Sequence, residues 1–160
     1  MKLPPIGKVC WFCGTNKGDA QDCVDWAERA LVQGADSPSL LILAGLTPPL
    51  NDFEVKDYTS KALNELGLKV LVGDEAVVAY AKYLAAEIVK DSNAIERNLK
   101  QLFILCHTND YLEEIYDFYL LHCALDDLKH SHDQHYWPGL NRSNLGEVVI
   151  ARCREFTINR

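Results

Sequence analysis

A run of apolar residues between Asp110 and Leu128 limits the possible folds of this chain most strongly, because it contains neither Gly nor Pro. At helical spacing, the apolar side chains between Ile115 and Leu125 point to almost every side. Such a helix is normally covered by neighbours on every side. The run is too short, and too often interrupted by charged residues, to span a bilayer. It therefore predicts the central helix of an all-α fold, enclosed by other helices.

The composition is that of an ordinary globular protein, since the 160 residues are 48% hydrophobic and 24% charged. The formal net charge of -7 disfavours binding to nucleic acid or to an anionic membrane, because both need a cationic surface. The same charge suits a basic protein partner. The sequence shows neither a signal peptide nor a membrane span, so we expect a cytoplasmic protein whose six cysteines are free thiols.

Helix-end signals predict about seven helices, packed either as a bundle or as stacked helical hairpins. Residues 1–18 have no helical period and predict an irregular arm, whereas residues 19–160 predict a single helical domain. Residues whose side-chain oxygen can cap a helix precede the apolar segments, namely Asp19 or Asp22, Ser37, Asn51, Asp74, Asn93 and Asn144. Gly34 and Gly67 are placed to end two helices, and residues 70–72 predict an extended linker.

Cys10 and Cys13 have the spacing of a zinc knuckle, followed by Gly14, which suits the tight turn of such a site. A structural zinc site needs four ligands, and no second pair of this spacing exists in the sequence. Cys23 and a histidine would have to complete it. The alternative is an isolated pair of thiols in the arm, which the incomplete ligand set favours.

A second cluster of possible metal ligands lies at the end of the apolar run. Asp126 and His130 are one helical turn apart, and His132 or His135 would complete a site. The alternative is a solvated helix end, where polar residues gather and histidines pair with the helix C-terminus. We favour the solvated helix end.

Asp117 and His122 are polar residues inside the apolar run. A carboxylate in such a place must be paired, hydrogen-bonded or directed into an opening. We favour a structural pairing of Asp117 with an arginine such as Arg142 or Arg152. The alternative is a binding or catalytic carboxylate with a perturbed pKa.

Aromatic residues supply further candidate binding positions. Tyr116 and Tyr119 would line a pocket with Asp117 if that carboxylate faced an opening. Tyr136 and Trp137, just before a Pro-Gly turn, are candidates for an exposed aromatic contact with a partner. Equally, Trp137 would fold back as a lid on the core.

Several short landmarks follow one another between roughly Cys23 and Cys153: Asp25-Trp26-Ala27, Asp36-Ser37-Pro38-Ser39-Leu40, Leu43-Ala44-Gly45-Leu46, Phe53-Glu54-Val55, Tyr116-Asp117-Phe118 and Trp137-Pro138-Gly139. In this order they resemble a group of small, all-helical bacterial cytoplasmic proteins, some of them of the immunity type. The resemblance implies no catalytic residue, and Cys10 and Cys13 lie outside it.

The leading hypothesis is a non-enzymatic, immunity-type protein whose acidic surface covers a basic partner. The sequence shows no nucleophile elbow, no glycine-rich phosphate loop and no zinc-protease helix motif. Two alternatives stay open. One is a small metal-binding protein or metal-dependent enzyme, with zinc as the metal, and the other is a helical domain that binds a small ligand around Asp117.

Overall fold

The computed structural model describes residues 2–158, and it confirms the predicted all-α fold of a small helical protein. Within these residues there are eight α-helices and no strand: α1 (Gly7–Thr15), α2 (Ala20–Val32), α3 (Pro38–Ala44), α4 (Asp52–Glu65), α5 (Gly73–Lys90), α6 (Ile95–Thr108), α7 (Tyr116–His130) and α8 (Leu145–Ile158). Short 3-10 turns at Ser92–Ala94 and Glu113–Ile115 precede α6 and α7. None of the helices in the described range is long and apolar enough to cross a membrane.

The helices belong to two compact units, unit 1 up to Tyr80 and unit 2 from Ala81 onward. In unit 1, α2 packs against α1, α3 and α4. In unit 2, α6 and α7 form the most extensive helix pair. The boundary between the units falls within α5.

The prediction of an irregular arm over residues 1–18 is wrong for residues 7–15, which form α1. This helix was missed because it is apolar on several sides and carries no side-chain cap. Cys10 and Cys13 are buried in it. Gly14 allows close packing, because an added Cβ would overlap the Leu71 carbonyl oxygen and the Ala76 side chain.

Trp26 lies at the centre of unit 1. Its side chain is 1% exposed, and its indole N–H donates a hydrogen bond to the carbonyl oxygen of Pro4 at 3.1 Å. Leu40, Leu43 and Leu63 are fully buried in the same cluster. One apolar core therefore joins α2, α3 and α4 and also fixes the backbone just before α1.

The N-terminal caps follow the sequence signals in three places and depart from them in two. The carboxylate of Asp19, the hydroxyl of Ser37 and the side-chain oxygen of Asn51 each accept a backbone N–H, as predicted. The cap predicted at Asp74 is wrong, because α5 begins at Gly73 and Asp74 lies inside its first turn. The cap predicted at Asn93 is wrong as well. Asp91 accepts the Asn93 N–H at 3.0 Å instead, because a 3-10 turn is inserted before α6.

Gly34 and Gly67 end α2 and α4 as predicted, since both adopt positive φ values, 95° and 75°. The Leu68 N–H donates to the Leu63 carbonyl at 2.8 Å, which is the 6→1 hydrogen bond of a Schellman motif. Residues 68–72 then form neither helix nor strand, in agreement with the predicted linker.

A carboxylate from the end of α4 completes the start of α3. Glu65 accepts hydrogen bonds from the Ser37 hydroxyl at 2.5 Å, the Ser39 hydroxyl at 2.6 Å and the Ser39 backbone N–H at 3.0 Å. These bonds hold the pKa of Glu65 below its usual range. Since α3 has only seven residues, it depends on such tertiary bonds more than a long helix would.

We predict that Glu65→Gln lowers the melting temperature at neutral pH, because the amide removes the charge that strengthens these bonds. The folded pKa lies below the unfolded one, so the stabilisation is complete above the ordinary value of 4.5 and is lost as pH falls through the lower, folded value. Thermal unfolding followed by circular dichroism at about pH 7 and about pH 3 measures this difference. Glu28→Gln on the exposed side of α2 is the control, and a Glu65→Gln effect of equal size at both pH values would contradict the prediction.

The apolar run that dominates the sequence forms α7, but not as expected. Its helix begins at Tyr116 rather than near Asp110. The buried residues of α7 form one face: Phe118, Leu121, Ala124, Leu125 and Leu128. Tyr116 is 39% exposed, and Tyr119 and His122 are only half-buried. The prediction of a helix enclosed on every side is therefore wrong, and the polyaromatic side of α7 is partly open.

Candidate functional site

Six aromatic and histidine rings, which we call the aromatic patch, lie together along α6 and α7 in unit 2: Phe103, His107, Tyr111, Tyr116, Tyr119 and His122. Tyr119 is central. Its ring stacks on Phe103, with centroids 4.8 Å apart, and on Tyr116, with centroids 5.6 Å apart. The His122 ring is tilted against Phe103 at 4.4 Å. Such offset and edge contacts between rings are mutually favourable.

Helical spacing brings most of these rings together. Tyr116, Tyr119 and His122 follow one another at three-residue intervals and therefore share one side of α7. Phe103 and His107 are four residues apart on α6 and share a side in the same way. The α6–α7 pairing then places the two rows of rings against each other.

Tyr111 reaches the patch from the turn between α6 and α7. Its ring lies edge-on to Tyr119 and to His107, with both centroid distances at 5.3 Å. Asp110 and Tyr111 both have left-handed backbones, with φ values of 55° and 56°. The Tyr111 N–H donates to the Cys106 carbonyl at 2.9 Å, so this is a Schellman-type helix end without a glycine. Residues in this conformation store strain and are concentrated at functional sites.

We predict that Asp110→Gly raises the free energy of unfolding by up to about 1 kcal/mol, because glycine adopts this backbone without a Cβ clash. Chemical denaturation measures the change. The same substitution at Asp126, an exposed position inside α7, is the matched control and lowers stability by about 0.5–1 kcal/mol. A loss of stability at both positions would contradict the strained turn.

An open pocket of about 490 Å³ borders the patch and is lined by Tyr111, Glu113 and Tyr116. The two tyrosines are 47% and 39% exposed. Asp110 and Glu114 are exposed nearby, and the segment 109–119 contains no lysine or arginine. Two π faces beside carboxylates form a surface suited to a cation such as a guanidinium or an ammonium group.

His122 is held in its neutral form at the inner edge of the patch. Burial lowers its pKa, and within residues 2–158 its buried Nδ1 has no hydrogen-bond partner. Its charged neighbours are Asp126 and Lys129 on α7 and Lys100 and Glu96 on α6. The two carboxylates raise the pKa of His122 and the two lysines lower it, so burial decides the direction of the shift. The ring therefore contributes to the patch as a neutral aromatic surface at neutral pH.

Asp117 is paired structurally with an arginine of α8. Its Oδ2 accepts a hydrogen bond from Nε of Arg152 on α8 at 2.8 Å. The Arg152 guanidinium also lies 5.6 Å from the Phe118 ring and 5.9 Å from the Phe156 ring. The structure therefore has the arginine pairing that the sequence favours for Asp117, and one of the two candidate arginines supplies it.

Tyr136 and Trp137 lie in the loop between α7 and α8. The Gln134 side chain organises this loop, accepting the backbone N–H groups of Tyr136 and Trp137 at 2.9 and 2.8 Å and donating to the Leu140 carbonyl at 3.0 Å. Tyr136 is 45% exposed, whereas Trp137 is half-buried. Of these two aromatic residues, Tyr136 is therefore the one that is exposed for contact with a partner.

The predicted metal ligands are not brought into one group. Across the described range, no set of three or more His, Cys, Asp or Glu side chains is arranged to hold a metal ion. The side chains of Asp126, His130, His132 and His135 are exposed around the end of α7. His132 Nδ1 lies 3.4 Å from the Arg142 guanidinium, which also donates to the Leu128 carbonyl at 2.7 Å. These contacts agree with a solvated helix end.

The sequence analysis does not identify four of the seven residues that form the aromatic patch and line its pocket. Phe103, His107, Tyr111 and Glu113 were not candidates, although the spacing of the first two on one helix side was a usable signal. No protein-family model, no curated protein and no solved structure matches this chain. A functional proposal for this chain therefore rests on the geometry of the aromatic patch and of the carboxylates beside it.

Proposed function

We propose that this chain is a non-enzymatic protein-binding protein that docks a basic partner on the aromatic patch. A lysine or arginine side chain of the partner would enter the pocket lined by Tyr111, Glu113 and Tyr116. The observation that carries the proposal is the exposure of two tyrosine rings beside exposed surface carboxylates within one short acidic segment.

Charge and rigidity both support a basic partner. A cation over a tyrosine face gains about 0.5–1 kcal/mol at an exposed site. A nearby carboxylate adds attraction, and the overall charge of -7 would speed the encounter. Because the rings already stack on one another, little side-chain freedom is lost on binding.

The openness of the pocket favours a macromolecular partner over a small ligand. Among residues 2–158, the pocket is lined by Tyr111, Glu113 and Tyr116. A small ligand normally has most of its surface buried by its site, whereas a side chain of a docked protein brings its own surroundings. The resemblance of the sequence landmarks to immunity-type proteins supports the more specific proposal of a bacterial cytoplasmic protein that neutralises a basic toxin.

The proposal can be tested with a hexa-arginine peptide titrated into isotopically labelled protein and followed by NMR. We expect the largest shifts at Tyr111, Glu113 and Tyr116. Removing one cation–π contact in Tyr116→Ala should weaken binding about 2- to 5-fold, and Glu113→Gln should weaken it and reduce its dependence on salt. A hexa-glutamine peptide controls for contact without charge.

Tyr136→Ala is the matched protein control, because Tyr136 is exposed to a similar extent and lies outside the patch. It should leave peptide binding unchanged. Shifts centred elsewhere on the chain, or equal affinities for wild type, Tyr116→Ala and Glu113→Gln, would overturn the proposal.

A further inference from the structure

Unit 1 has a cleft of its own, which we call the Phe53 cleft. Its volume is about 370 Å³, and it is lined by Phe12 of α1, by Asn16, which caps the end of α1, and by Asp52, Phe53 and Lys56 of α4. The two helices pack on each other. A cleft of this size that is lined from two helices fits a small molecule, since small-ligand sites range from about 300 to 1,000 Å³.

Helical spacing explains why these five residues line one cleft. Phe12 and Asn16 are four residues apart at the end of α1, and Asp52 and Lys56 are four residues apart on α4. Phe53 is three residues from Lys56 and shares this side of α4. The α4 side therefore contributes a carboxylate, a ring and an ammonium group, and the α1 side contributes a ring and an amide.

Burial and charge leave these groups available to a ligand. Phe12 is 5% exposed and Lys56 is half-buried, whereas Phe53 is 83% exposed. Among residues 2–158, the salt bridges include neither Asp52 nor Lys56. A molecule in the cleft would therefore meet one positive charge, one negative charge and two aromatic rings.

We propose that the Phe53 cleft binds a free α-amino acid with an aromatic side chain. The Lys56 ammonium pairs with the α-carboxylate, the Asp52 carboxylate pairs with the α-ammonium, and the two phenylalanine rings contact the ring of the ligand. A zwitterion suits this lining better than a simple ion, because Asp52 would repel an anion and Lys56 would repel a cation. The two charges of an α-amino acid are on one carbon atom, which suits two side chains that are one helical turn apart.

Titration of isotopically labelled protein with L-phenylalanine, followed by NMR, tests this proposal. We expect the largest shifts at the residues that line the Phe53 cleft. Three comparison compounds each lack one recognised group: phenylalanine amide lacks the carboxylate, N-acetyl-phenylalanine lacks the ammonium group, and alanine lacks the ring. Each should bind at least about 5-fold more weakly than phenylalanine.

Variants of the protein test the same contacts without disturbing the core, because Asp52 and Phe53 are exposed. Phe53→Ala should weaken phenylalanine binding about 2- to 10-fold. Asp52→Asn should weaken the binding of phenylalanine but not that of N-acetyl-phenylalanine, which has no ammonium group to lose a partner. Glu54→Gln, in the same helical turn, and Val32→Ala, which is 89% exposed at the end of α2, are the matched controls and should leave binding unchanged.

The outcomes separate this proposal from the docking of a basic partner, because the two sites have no residue in common. Shifts of phenylalanine-titrated protein that centre on Tyr111 and Tyr116 would overturn the Phe53 cleft and leave the aromatic patch as the site of the ammonium group. No shift at about 10 mM phenylalanine, or equal affinities of wild type, Phe53→Ala and Asp52→Asn, would also overturn it.

Discussion

The left-handed turn at Asp110 and Tyr111 is the constraint on which the candidate site depends. It ends α6 through the bond from the Tyr111 N–H to the Cys106 carbonyl and places the Tyr111 ring edge-on to Tyr119. If α7 instead continued back to Asp110, as the apolar run predicts, Tyr111 would be one more ring on a helix. Because of the turn, Tyr111 instead lines an open pocket together with Glu113 and Tyr116.

Features of the fold that depend on neighbouring residues could be predicted from the sequence, whereas features that depend on residues distant in the chain could not. The ends at Gly34 and Gly67 were predictable because only glycine adopts a positive φ freely. The end of α6 at Asp110 has the same type of backbone hydrogen bond as the end of α4, but no glycine marks it in the sequence. The sequence therefore predicts too early a start for α7. The Glu65 cap of α3 joins residues that are 26 and 28 positions apart, a contact that no local pattern encodes.

The same distinction between neighbouring and distant residues explains which part of the candidate site could be predicted. Tyr116, Tyr119 and His122 share a side of one helix, and their spacing brings them together before any tertiary contact is considered. Phe103 joins them through the packing of α6 on α7, and Tyr111 joins them through the left-handed turn between the two helices. The apolar run suggested complete burial because periodicity counts a tyrosine as apolar, although its ring is equally suited to a half-open surface.

The central claim is that this surface recognises positive charge rather than shape alone. It is tested most directly by comparing N-acetyl-arginine amide with N-acetyl-citrulline amide, which has nearly the same shape without the charge. Ring resonances of Tyr111 and Tyr116 should shift on titration with the arginine compound and stay in place with the citrulline compound. Equal shifts with both compounds, or shifts with neither, would contradict the account.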